Sequence, residues 1–341
     1  NGFNNYIDQL ETDTLTSYPL TIESTTADMS SMLSAFATNE NAEAEGEGGT
    51  KKGTVTEQQM MSQMFASVGS NDLKTFNNYV KDHTDDELSG CFDAIQYSYG
   101  VKPQVYSTSF KYGVVQVSPG SFMSTYMNTL QQTAMSYTNA DVFFEMIDNE
   151  KMQKDAYQVV AGKWPEKYNQ VVLVLQDENT MNDYMSYCLG LRDPDELDEM
   201  MDKMVDGEEV EARDDAMQWT YDDLLGMEFA LVHAADKYKY NSGYNMWEDM
   251  SDDKAFMKDL IKKSEKLTIT AIAVPNKDSA TQSAAMGVGY LPSLTDHIID
   301  TAAETDIVLD QKTHDKVDVF SGKTFDELND DDADKGVGFE D

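Results

Sequence analysis

YQVVAGKWPEKYNQVVLVL, Tyr157–Leu175, is the stretch whose reading decides the fold. Two β-type runs, Tyr157–Val160 and Gln170–Leu175, flank a Gly-Lys-Trp-Pro turn. Gly162 gives the backbone the freedom that a change of direction needs, and Pro165 fixes φ and ends a strand. Trp164 offers a large apolar anchor for the turn. Gly162, Trp164 and Pro165 are therefore the candidate structural turn, and an exposed Trp164 would make it an interaction tip.

Working outward, Leu267–Val274 (LTITAIAV) reads as a buried strand and Met227–His233 as another. Helices are expected at Asp252–Lys262 and Pro292–Thr301, and the clearest is Asp193–Val205. There Asp193 is placed to cap, Pro194 opens the first turn, Leu197, Met200, Met201, Met204 and Val205 form the stripe, and Gly207 ends it. Towards the N-terminus, Phe92–Tyr99, Gln104–Thr108 and Gly113–Val117 are strand-like, Ala140–Glu150 is a loop and short helix, and Asn71–Asp82 is a helix with Asn71 as cap. Tyr18–Glu23 alternates as a strand, and Asp28–Ala37 and Thr56–Ser67 read as helices. Residues 39–53, rich in Gly and Glu with no apolar anchor, are expected to be a mobile loop, and 329–341 an acidic tail. Strands and helices alternate irregularly, so the expected class is α+β and not a doubly wound sheet.

The chain opens at Asn1 in a helical pattern, with Phe3, Tyr6, Ile7 and Leu10 on one face, and this start is expected of a segment cut from a longer polypeptide. A length of 341 residues suits two domains, at about 150 residues each. Hydrophobic content of 40% is enough for a core. With 25 basic and 63 acidic residues the net charge is −38, a field that repels phosphate backbones and anionic lipid and so argues against nucleic acid as a partner. It suits a solvent-facing domain beside a membrane, or one that meets basic peptides. Cys91 and Cys188 are too few for a disulfide framework; one bridge or two free thiols both fit. No apolar run is long enough to span a bilayer.

Signals for chemistry are weak. His83, His233, His297 and His314 show no ligand spacing, and His297, one turn from Leu294, reads as a helix-face histidine. Asp330, Asp332 and Asp334 alternate as in a Ca²⁺ loop, but Lys335 stands where that loop needs glycine. Gly287-Val288-Gly289 lacks a third glycine and reads as a turn, and no GxSxG occurs. No catalytic, cofactor-binding or metal-ligating residue is nominated, and the chain is not expected to be an enzyme. The Met clusters, Trp219 and Trp247 read as core.

The order YPLTI (18–22), VVAGKWPEKYNQVVLVL (159–175), LTITAIAVP (267–275) and GYLPSLTDHII (289–299) resembles the extracytoplasmic domain of MacB/FtsX-type ABC transporter permeases, in the large Gram-positive version. That family carries a Gly-Arg/Lys-x-Pro turn followed by Glu-Val-Val-Leu. Here Gly162, Lys163, Trp164 and Pro165 match the turn, while Gln170 replaces the acidic residue before Val171-Val172-Leu173. The resemblance implies a discontinuous, porter-like α/β unit built from both chain ends, residues 1–110 and 266–328, with a mixed α+β subdomain inserted at 111–265. It implies an extracellular face at the cell membrane and a non-catalytic module that binds and moves. Such a module couples cytoplasmic ATP hydrolysis to export, release or activation of a peptide, lipoprotein or cell-envelope partner. Implied partners are an ABC ATPase, reached through the transmembrane part of the parent, and a second permease copy. The alternative is a free-standing cell-surface solute- or peptide-binding protein.

Overall fold

A computed structural model describes residues 20–23, 25–27, 68–84, 87–88, 90–92, 94–120, 141–206, 208–210, 215–276 and 285–328. The expectations for residues 1–15, 28–37, 39–53, 56–67 and 329–341 lie outside them. The chain divides into two compact units, Asn1–Asp93 and Ala94–Asp341.

In the first unit, β1 (Thr25–Ala27) pairs antiparallel with β2 (Val68–Ser70), and α1 (Leu73–His83) follows. Asp72, not Asn71, caps α1: its Oδ1 accepts from the Thr75 amide at 3.0 Å, while Asn71 Nδ2 donates to the Glu23 carbonyl.

The second unit is α+β. Its eight-stranded mixed sheet runs β4 (Gln116–Ser118), β3 (Val105–Ser107), β8 (Glu228–Leu231), β11 (Glu265–Pro275), β7 (Gln170–Val174), β12 (Gly287–Tyr290) and β5 (Phe143–Glu145), with β6 (Tyr157–Gly162) also on β11. The expected domain boundaries at 110/111 and 265/266 both fall inside this unit, because β3 and β11 hydrogen-bond to strands from residues 111–265. A separate hairpin joins β9 (Tyr238–Asn241) to β10 (Met246–Asp249).

β11 is the spine. Glu265–Thr268 pair antiparallel with β8, Ala271–Pro275 pair antiparallel with β6 along the same edge, and β7 runs parallel along the other edge. The 163–169 segment therefore crosses β11 between β6 and β7. Its two anchors are Lys163 N–H donating to Thr270 O at 2.8 Å and Thr268 N–H donating to Asn169 O at 2.9 Å.

Both faces are covered, which is why β7 reads as an unbroken apolar run. Val171, Leu173 and Leu175 join Leu267, Ile269, Ile272, Phe229 and Leu231 on one face. That face packs on Met185 of α3 (Asp183–Cys188), Leu224 of α5 (Tyr221–Leu224) and Leu294 of α7 (Pro292–Ala303). Val172, Val174, Ala271 and Ala273 face the other way, towards Met146 and Trp164. A register shift between Ile269 and Ala271 reverses the alternation, so that Ile269 and Ile272 share a face. On β8, Ala230 packs with Met257 and Ile261 of α6 (Lys254–Lys263), a helix capped by Asp253. The remaining helices are α2 (Glu150–Ala156), α4 (Pro194–Val205) and α8 (Asp306–Thr313).

Four local expectations differ. Residues 20–23, the described part of the expected strand Tyr18–Glu23, are exposed and form no strand. Residues 94–99 are not a strand; Tyr97 and Tyr99 stack on each other at 6.4 Å, and aromatic β-propensity without a partner strand makes no ladder. Gly287-Val288-Gly289 is strand β12, not a turn: a Cβ on Gly287 would lie 2.1 Å from the Val142 carbonyl oxygen, so its glycine serves close strand packing. The 140–150 segment contains β5.

Candidate functional site

Gly162, Trp164 and Pro165 lie together where the chain crosses β11. Gly162 has φ +78°, and a Cβ there would sit 2.2 Å from Thr270 O, so both conformation and space demand glycine. Pro165 is buried. Trp164 is half-buried against the Val172/Val174 face, its Nε1–H donates to Gln153 Oε1 at 3.0 Å, and Tyr157 packs beside it at 6.1 Å. Trp164 is held as an anchor on all these sides.

A second constellation lies at the other end of β11. Glu265 opens the strand opposite Leu231, and His233 stands two residues beyond, where β8 ends and a 3₁₀ turn begins. His297 comes from α7, whose Leu294, one turn earlier, is fully buried and fixes the helix against the sheet. Tyr168 comes from the crossing segment. His233 Nε2 lies 3.3 Å from Glu265 Oε1, and His297 Nε2 lies 3.0 Å from Oε2 and 3.2 Å from Oε1. The Tyr168 hydroxyl donates to Oε2 at 3.0 Å, and its ring stacks on His297 with centroids 4.0 Å apart. The ligating atoms of His233, Glu265 and His297 all lie within 4.8 Å of one another.

Burial pushes the Glu265 carboxyl up, but the hydrogen bonds from His297, His233 and Tyr168, with the charge of His297, outweigh it and hold the group below the usual carboxylate range. The Tyr168 phenol is raised, by desolvation first and by the adjacent Glu265 second. His233 is buried, and its Nδ1 has no partner among the described residues. A buried N–H left unpaired costs about 1–3 kcal/mol, so the hydrogen-bond pattern places the His233 proton on Nε2, facing Glu265. The site opens outward, since the side chains of Glu265 and His297 are 39% and 26% exposed.

Two imidazoles and a carboxylate converging in this way can share protons, or they can ligate a borderline divalent cation. The sequence reading nominated none of the three. One signal was available: pairing β8 with β11 in antiparallel places His233 and Glu265 at the same sheet end. Nothing local brings in His297 or Tyr168.

No family profile, curated protein or solved structure matches this chain.

Proposed function

We propose that this chain is the extracytoplasmic domain of a MacB/FtsX-type ABC transporter permease, a non-catalytic module that binds a partner and transmits movement driven by cytoplasmic ATP hydrolysis. One observation carries the reading. Three of the segments that bear the resemblance, far apart in sequence, are neighbours in space: 157–175 supplies β6 and β7, 267–275 most of β11, and 289–299 the end of β12 and most of α7. β6 and β7 both pair with β11, and β12 pairs with β7. This adjacency supports one assembled unit, and it joins 157–175, which the resemblance assigns to the inserted subdomain, to the strands of the membrane-proximal part.

The charge of −38 supports a surface that stays in solvent beside anionic lipid. The crossing at Gly162–Pro165 ties the strands flanking β11 through backbone hydrogen bonds on both sides, which suits a body that moves as one piece. Its partners would be an ABC ATPase, reached through the transmembrane part of the parent, and a second permease copy. Outside the membrane it would meet a peptide, lipoprotein or cell-envelope protein.

The test is the reading frame on either side of the segment that encodes Asn1–Asp341. The proposal expects a transmembrane helix ending shortly before Asn1 and further transmembrane helices after Asp341, with an ABC ATPase co-purifying with the full-length product. A lipid anchor or cleavable signal upstream and a stop codon soon after Asp341 would overturn it in favour of a free-standing surface binding protein.

A further inference from the structure

We infer that His233, Glu265 and His297 form a binding site for a single Zn²⁺ ion. The donor set is two imidazole nitrogens and one carboxylate oxygen. That set favours zinc and its transition-metal neighbours over Mg²⁺ and Ca²⁺, which take all-oxygen cages.

Spacing agrees with this choice. Around a tetrahedral Zn²⁺ with bonds of about 2.0–2.1 Å, neighbouring ligand atoms stand about 3.3 Å apart. The His233 Nε2–Glu265 Oε1 separation is 3.3 Å, and His297 Nε2 lies 3.2 Å from the same oxygen. The two imidazole nitrogens lie within 4.8 Å of each other, and the groups come from three different elements, a strand end, a strand start and a helix, all held by the packed sheet, so the adjustment on binding is the closing of the two imidazoles on the ion. The exposed side of Glu265 and His297 gives the ion a path and leaves the fourth position to water.

Outer contacts are uneven, and they set the expected strength. Tyr168 orients Glu265 through its hydroxyl and His297 through its ring. His233 has no acceptor for Nδ1–H among the described residues, and in the zinc-bound form Nδ1 must carry the proton because Nε2 is coordinated. Loss of one such outer partner weakens metal binding by about 10–100-fold. The dissociation constant should accordingly be micromolar, not nanomolar.

The experiment is a calorimetric titration of the chelator-treated, dialysed chain with Zn²⁺, in excess Mg²⁺ to fill carboxylate-only sites on so acidic a surface. One equivalent should bind, with affinity at least tenfold weaker in His297→Ala and in Glu265→Gln. His297 is partly exposed, so the alanine variant should melt with the metal-free parent. Tyr168→Phe keeps the ring over His297 and removes only the hydroxyl; it should weaken Zn²⁺ binding by about tenfold. Zn²⁺ binding that Mg²⁺ abolishes, or that is equal in parent and His297→Ala, overturns the site. If His297→Ala does not fold, an unchanged affinity in Tyr168→Phe overturns it instead.

Discussion

The two ends of β11 have opposite characters. From Ile269 to Val274 the strand is packed on both faces, with Ala271, Ile272 and Ala273 at 0% exposure, and bounded by β6 and β7. At Glu265 the same strand opens to solvent, and one carboxylate faces two imidazoles and a phenol. Each buried Ile or Val side chain at the closed end contributes about 1.5–3 kcal/mol by burial alone. Contacts to a carboxylate that is 39% exposed are screened by water and contribute far less. Stability accounts for the closed end and leaves the open end unexplained, which is why the open end is the functional candidate.

The largest loss is expected at the closed end. Ile272→Ala removes a fully buried side chain beside Leu173 and Ile269; it should cost about 2–5 kcal/mol, read as a lower urea midpoint. His297→Ala should stay within about 1 kcal/mol of the parent in the absence of metal. Equal losses in the two variants would erase the distinction. Trp164→Ala is next. Its ring is half-buried and bonded to Gln153, so a loss of about 3 kcal/mol, the low end for aromatic truncation, is expected. An unchanged midpoint would return Trp164 to the role of an interaction tip.

A third effect runs in the stabilising direction. Zn²⁺ at about a hundredfold above its dissociation constant should add about 2.7 kcal/mol, and at the same concentration His297→Ala should keep about 1.4 kcal/mol of that gain at most.

The smallest effect concerns a second carboxylate, Glu145 at the end of β5. Burial pushes its pKa up, with Asp296 and Asp148 adding to the shift, against hydrogen bonds from Thr295 and Gln96. The folded state therefore holds this proton more tightly than the unfolded chain. The stability it contributes is present at low pH and is lost as pH rises above the ordinary carboxylate value. Glu145→Gln should match or exceed the parent's melting temperature at pH 7, with the gap closing towards pH 4. A variant less stable than the parent at neutral pH would show that Glu145 is held ionised, as Glu265 is.

How much was legible follows the same division. The runs at 170–175 and 267–274 could be read because adjacent residues carry the pattern, and burial on both faces turns that pattern into β7 and β11. The end of β6 at Gly162–Pro165 was legible for the same local reason, although only the structure explains the glycine, through the closeness of Thr270 O. The pairing of strands across residue 265 was not legible. β11 draws strands from both sides of residue 265 into one sheet, and no compositional change marks that pairing. His233 and His297 were separately visible as single histidines, one at a strand end and one on a helix face. What makes them a pair is Glu265 between them, a contact that exists only after β8, β11 and α7 have packed.

The claim on which the comparison turns is that the open end of β11 is a built site and not a solvated edge. The most direct measurement is an anomalous difference map at the zinc absorption edge, from crystals of the chain grown with Zn²⁺. The account predicts one strong peak bounded by His233 Nε2, His297 Nε2 and Glu265. Peaks confined to surface carboxylates, with none among these three residues, would contradict it.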